Sequence, residues 1–324
     1  MHTPSHATMQ QAAEWYALLI SGEETPRDRA RWKAWLVTNP EHRQAWSYVE
    51  AISQRVLAPL QETTDPHLTA ENLHSANTRT WRRRHVLTSA VVATSAGALG
   101  WMGWRSSLGP LVLALGANHR TGVGEIREIQ LPDGTRVWLN TASAFNQQYS
   151  TDSRRLQLLT GEFLIDTAAD DSKRPFIVET PQGWLRALGT RFTVRREDEQ
   201  TVLAVYQGAV EIRTAASGAV KTIPAGQQTR FNAQGIRPPT STDLSSAAWS
   251  RGDLVALDTP LIEVVEELRR YTHQHIGVDP AIAQQRVFGS FPLHDVNTTL
   301  NLLADAATLR VRRTLPWWVT LEPL

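Results

Sequence analysis

"RRRHVLTSAVVATSAGALGWMGWR", residues 82–105, sets three arginines ahead of nineteen residues, 86–104, that carry no charge. A helix needs roughly 20 residues, at about 1.5 Å each, to cross the hydrocarbon core of a bilayer. The run is just long enough, and a bilayer would force it to be helical so that its backbone polar groups pair internally. Gly97, Gly100 and Gly103 weaken it as a soluble helix, whereas glycine is common in membrane helices. Trp101 and Trp104 suit a far interface, and Arg82–Arg84 on the near side place the N-terminus in the cytoplasm. The expectation is one transmembrane helix over 86–104. A buried soluble helix is the alternative, but it leaves the arginine cluster unexplained. Arg83 and Arg84, followed by His85, Val86 and Leu87, also carry the pattern of a twin-arginine export signal; a chance arginine pair beside an apolar helix would look the same. A second apolar patch, "LGPLVLALGA" at 108–117, is too short to span alone.

Composition narrows the chemistry on either side of this run. The 324 residues suffice for two or three domains, and a net charge of +1 gives no global reason to expect nucleic acid as a partner. The chain has no cysteine, which excludes disulfides, thiolate catalysis and cysteine-ligated metals. Residues 1–80 hold seven Lys/Arg against nine Asp/Glu, and the twelve tryptophans cluster towards both ends of the chain.

Upstream, "AAEWYALLISGEETPRDRARWKAWLVTNPEHRQAWSYVEAI" reads as short helices. Ala12, Trp15, Tyr16 and Leu19 follow helical spacing, Gly22 is a stop, and Thr25-Pro26 is a cap followed by proline at the first helical position. Asn39 can cap a third helix carrying Ala45, Trp46, Val49 and Ile52. So small a bundle can hardly bury Trp15, Trp32, Trp35 and Trp46 completely. The module therefore reads as a protein-binding unit with tryptophan anchors. A membrane-tethered DNA-binding regulator is the alternative, but it needs a basic face that this acidic segment lacks. Residues 57–85 read as a linker.

Downstream, from about 120 to 235, short β-type runs alternate with turn residues. Asp133-Gly134 before Arg136-Val137-Trp138-Leu139 is a strong hairpin signal. Strands every ten residues or so predict a sandwich, roll or short solenoid. No G-x-S-x-G, H-E-x-x-H or Walker loop is present, so no catalytic residue is assigned and an exported enzyme or scaffold is a remote alternative. From 250 onwards strands and two amphipathic helices alternate as a compact α+β unit. His273 and His275 near Asp279 form a weak metal constellation and read instead as surface histidines, so no metal and no cofactor is expected.

The expected fold class is thus multidomain. It comprises a small all-α N-terminal domain at 1–56, a linker at 57–85, one transmembrane helix at 86–104, an all-β middle domain at 118–235 and an α+β C-terminal domain at 250–324.

Several stretches together resemble the FecR family of inner-membrane sigma-factor regulators. They are the N-terminal helices, "LPDGTRVWLNTAS" at 131–143, "GEFLIDT" at 161–167, "RPFIVETPQGWLRALGTRFTVR" at 174–195, "VYQGAVEI" at 205–212 and "IPAGQQ" at 223–228. The C-terminal unit is similar to the short N-terminal (STN) domain of secretins and TonB-dependent receptors. The resemblance implies a single-pass inner-membrane protein with a cytoplasmic N-terminus and a periplasmic C-terminus, and no direct contact with nucleic acid. It implies an extracytoplasmic-function sigma factor as partner, bound among Trp15, Trp32, Trp35 and Trp46. It also implies the signalling domain of a TonB-dependent outer-membrane receptor, usually for an iron–siderophore, and envelope proteases. The receptor-binding candidates are Leu254, Val255, Leu257, Leu261 and Leu268; addition of a strand to a partner's sheet edge would be a fitting contact.

Overall fold

The structure, a computed structural model, describes residues 4–21, 24–61 and 116–324. The expected span at 86–104, Arg83, Arg84 and most of the 57–85 linker lie outside the described residues. Among the described residues no helix is long and apolar enough to cross a membrane. The expected fold class is therefore corrected: the described residues form N-terminal helices and a large β-rich remainder, with no transmembrane helix among them. The longest helix, Pro40–Gln61, has 22 residues, but Glu41, Arg43, Glu50 and Arg55 punctuate it. Each such charge would be costly in hydrocarbon.

The N-terminal helices are α1 (His6–Ile20), α2 (Pro26–Thr38) and α3 (Pro40–Gln61). The Ser5 hydroxyl accepts from the Thr8 amide to start α1. Thr25 and Asp28 form a reciprocal capping box at α2, with Pro26 at its first turn, where a missing N–H costs nothing. The Asn39 side chain accepts from the Glu41 amide at 2.9 Å and opens α3. Met9, Ala12 and Ala13 of α1 and Ala45 and Val49 of α3 are buried, whereas α2 buries no residue fully.

Two seven-stranded sheets follow. One has the order β1 (His119–Arg120), β4 (Ala144–Tyr149), β5 (Arg154–Thr160), β7 (Phe176–Thr180), β8 (Gly183–Ala187), β11 (Ala209–Thr214), β12 (Val220–Pro224). The other has the order β14 (Thr240–Ser241), β13 (Gln227–Phe231), β10 (Gln200–Gln207), β9 (Arg191–Glu197), β6 (Glu162–Asp166), β3 (Arg136–Leu139), β2 (Arg127–Gln130). All pairings are antiparallel except β5 with β7. Their inner faces share one core, with Phe145 of the first sheet meeting Phe163 of the second edge-on at 5.7 Å. Alternation explains the pairing: in β8 the residues Gly183, Leu185 and Ala187 are buried and Trp184 and Arg186 are not.

Strand β6 departs from alternation because both of its faces are covered. Phe163 and Ile165 enter the sandwich core, while Leu164 joins the core of the C-terminal unit. That unit pairs β15 (Asp253–Pro260) with β17 (Arg286–Pro292), and orders β16 (His275–Val278), β19 (Trp318–Pro323) and β18 (Leu309–Leu315) in a second sheet. Helices α4 (Leu261–Arg269) and α5 (Val296–Ala307) pack on these strands. Asp295 caps α5 through the amides of Asn297 and Thr298.

Candidate functional site

The tryptophans of the N-terminal helices are placed by helical spacing on converging faces. Trp15, Trp32, Trp35 and Trp46 are each half-buried. Trp32 and Trp46 lie 4.9 Å apart between ring centres, and Tyr16 reaches Trp46 at 5.7 Å. Trp35 stacks on His42 at 4.4 Å, and its indole N–H donates to Gln11 Oε1 at 2.6 Å. The Arg31 guanidinium lies 5.7 Å from the Trp15 ring. The structure thus joins Trp32 and Trp46 through direct ring contact, whereas Trp15 and Trp35 have other partners. The indole N–H groups of Trp15 and Trp32 are shielded from solvent without a hydrogen-bond partner. Each such donor costs on the order of 1–3 kcal/mol.

The C-terminal unit meets this module. Tyr16 packs edge-on against Trp317 at 5.5 Å, and Met9, Ala12, Ala13, Ala45 and Val49 share a buried cluster with Leu315, Trp317 and Trp318. Gln10 Nε2 donates to Thr314 Oγ1 at 2.9 Å, while Gln10 Oε1 accepts from Thr320 Oγ1 at 3.1 Å and Trp318 Nε1 at 3.3 Å. Arg312 reaches Glu14 at 2.6 Å. His275 is half-buried: it stacks on Trp318 at 3.8 Å and meets Tyr48 at 5.7 Å. Burial, with the nearby Arg269 and His6 adding to it, lowers its pKa to about 3. Among the described residues no cluster of His, Asp and Glu is placed to hold a metal ion.

A polar junction fixes the C-terminal unit to the sandwich. Arg270 bonds Glu162 at 2.7 Å and also pairs with Glu267, while Arg195 reaches Glu267 at 3.4 Å. Asn140 Nδ2 donates to Glu162, and Tyr271 Oη donates to Asn140 Oδ1, each at 2.9 Å. Burial pulls the Arg270 pKa down, but Glu162 and Glu267 outweigh it and the net shift is upward. Burial raises Glu267 despite Arg270. This is a structural lock whose charges satisfy one another.

Of the residues expected to contact a receptor, Leu261 and Leu268 are fully buried in the core of the C-terminal unit. Leu254 and Val255 are half-buried, and Leu257 is 61% exposed. Its cross-strand partner Phe288, which the sequence reading did not single out, is 64% exposed, so the two form an apolar pair on β15 and β17. Trp317, Trp318, Gln10 and Arg312 were likewise not singled out. The clustering of tryptophan at both chain ends was the one signal that could have pointed to Trp317 and Trp318, and no link was drawn from it.

Residues 10–52 match DUF4880, a domain of unknown function, and residues 117–211 match FecR protein. Two crystal structures of a candidate anti-sigma factor from Parabacteroides distasonis ATCC 8503, at 2.50 Å and 1.65 Å resolution, are similar to this chain. Both are 26% identical to it, cover 64% of it and are covered over 98% of their own length, with TM-scores of 0.50 and 0.51. No curated protein matches the chain. Over residues 117–211 the chain is thus similar to the FecR protein family.

Proposed function

We propose that this protein is an anti-sigma regulator whose N-terminal helices bind an extracytoplasmic-function sigma factor. The observation that carries the reading is the likeness, over 64% of the chain, to structures of a candidate anti-sigma factor, together with the FecR region. The N-terminal module supports it. Four half-buried tryptophans lie on a small bundle in which α2 buries nothing fully. Such a surface suits a protein partner better than a small molecule. The exposed Leu257–Phe288 pair supports a second protein contact, of the receptor-signalling-domain kind, on the C-terminal unit. The role is regulatory, not catalytic.

The test is capture of the full-length chain from its own cells, with partners identified by mass spectrometry. The reading expects a sigma factor among the specific partners. Retention on DNA with steep salt dependence and no sigma factor would support the DNA-binding alternative instead.

A further inference from the structure

The sandwich and the C-terminal unit enclose between them a cavity of about 370 Å³. One wall is the outer face of β9 and β10, with Thr193, Arg195, Ala204 and Tyr206. The other comes from β15 and α4, with Asp253, Leu254, Val255, Glu263 and Val264. A short 3₁₀ helix, Leu244–Arg251, adds Ser246 and Trp249. Ser246 Oγ and Tyr206 Oη hydrogen-bond at 2.9 Å, which ties this helix to the sheet. The volume suits a small organic molecule, and a seam between two units is a common place for such a site.

Five carboxylates line the cavity, Glu162, Asp243, Asp253, Glu263 and Glu267, against one guanidinium, Arg195. Glu162 and Glu267 are answered by Arg270 and Arg195. Asp243, Asp253 and Glu263 have no ion-pair partner among the described residues. Charges of one sign converging on a concave surface focus a potential that draws the opposite sign. A separate feature asks for an acceptor. Trp249 is 5% exposed, and its indole N–H has no hydrogen-bond partner. A buried donor left unpaired is costly, so this wall favours an occupant that brings an acceptor. Leu254, Val255 and Val264 supply apolar surface between these polar ends.

We propose that this cavity binds a free basic amino acid. Its two cationic groups meet the unpaired carboxylates, its own carboxylate lies on the Trp249 side, and its aliphatic body lies along Leu254, Val255 and Val264. The assignment is independent of the sigma-factor reading. Because both units contribute to the lining, an occupant strengthens the junction between them.

Equilibrium dialysis of the full-length protein against labelled L-lysine is the test, with analogues that remove one group at a time. Norleucine lacks the side-chain ammonium, and cadaverine lacks the carboxylate. The expected result is saturable binding of lysine, with each analogue at least about tenfold weaker. Asp253→Asn and Glu263→Gln should each weaken lysine by about tenfold and leave norleucine unchanged. Trp249→Phe, which keeps a ring in place, should weaken lysine and leave cadaverine unchanged. The analogue series on the unaltered protein decides the matter even if a variant fails to fold. No saturable lysine binding up to about 5 mM overturns the proposal. So do analogues that bind as well as lysine, or folded variants that bind lysine unchanged. Binding of Nα-acetyl-L-lysine amide in place of free lysine also overturns it, in favour of a lysine side chain on a protein partner.

Discussion

The carboxylate of Asp133 accepts from the Thr135 amide at 3.2 Å, Thr135 Oγ1 at 2.8 Å, Tyr149 Oη at 3.0 Å and Arg154 Nη1 at 2.8 Å. Its burial opposes ionisation, but these bonds outweigh it and hold the pKa below the usual carboxylate range. The Asp-Gly pair was legible as a turn from sequence alone; the four bonds were not, because Tyr149 and Arg154 arrive from β4 and β5. His275 shows the same limit more sharply. Its neighbours Trp318, Tyr48 and His6 are remote in sequence, so it reads as a surface histidine until the fold half-buries it against them. A histidine whose folded pKa lies near 3 stays neutral while the unfolded chain, with an ordinary value near 6.5, takes up a proton. Stability is therefore fully present above about pH 6.5 and falls as pH drops towards 3, by at most about 1.4 kcal/mol per pH unit for one proton. Denaturant unfolding at pH 7.5 and 5.5 should show wild type losing more stability over that interval than His275→Phe, which keeps an aromatic ring on Trp318. Equal losses in the two proteins would refute this assignment.

At the scale of elements, the period-two strands and the capped helices were readable because their signals are local. Thr25-Pro26 caps α2 and Asn39 opens α3, as the sequence suggests. What escaped local reading is β6. Its burial on both faces follows from Leu164 meeting the C-terminal unit, a contact that periodicity cannot announce. The turn before β6 is equally constrained. Gly161 has φ +78°, and a Cβ there would lie 2.6 Å from the Ser143 Cα, backbone that cannot swing away. Gly161→Ala is expected to destabilise the sandwich by more than about 1 kcal/mol, since strain and overlap act together. Thermal unfolding followed by circular dichroism reads this directly; a variant within error of wild type would mean the turn has another conformation.

For the molecule as a whole, sequence reading placed the helical, sandwich and α+β portions in order along the chain, and treated the apolar run at 86–104 as the feature dividing them. In the described residues the units are instead joined by contacts. The Arg270–Glu162 junction ties the C-terminal unit to the sandwich, and Trp317 and Trp318 tie it to α1 and α3. These contacts link residues more than a hundred positions apart and depend on three-dimensional closure, so no local pattern specifies them. The central claim is that the N-terminal helices carry the sigma-binding function. Its most direct test is isothermal titration of a cognate sigma factor against the full-length protein and against the same protein lacking residues 1–61. The account predicts that the full chain binds and that the deletion abolishes binding; equal affinity for the two proteins would contradict it.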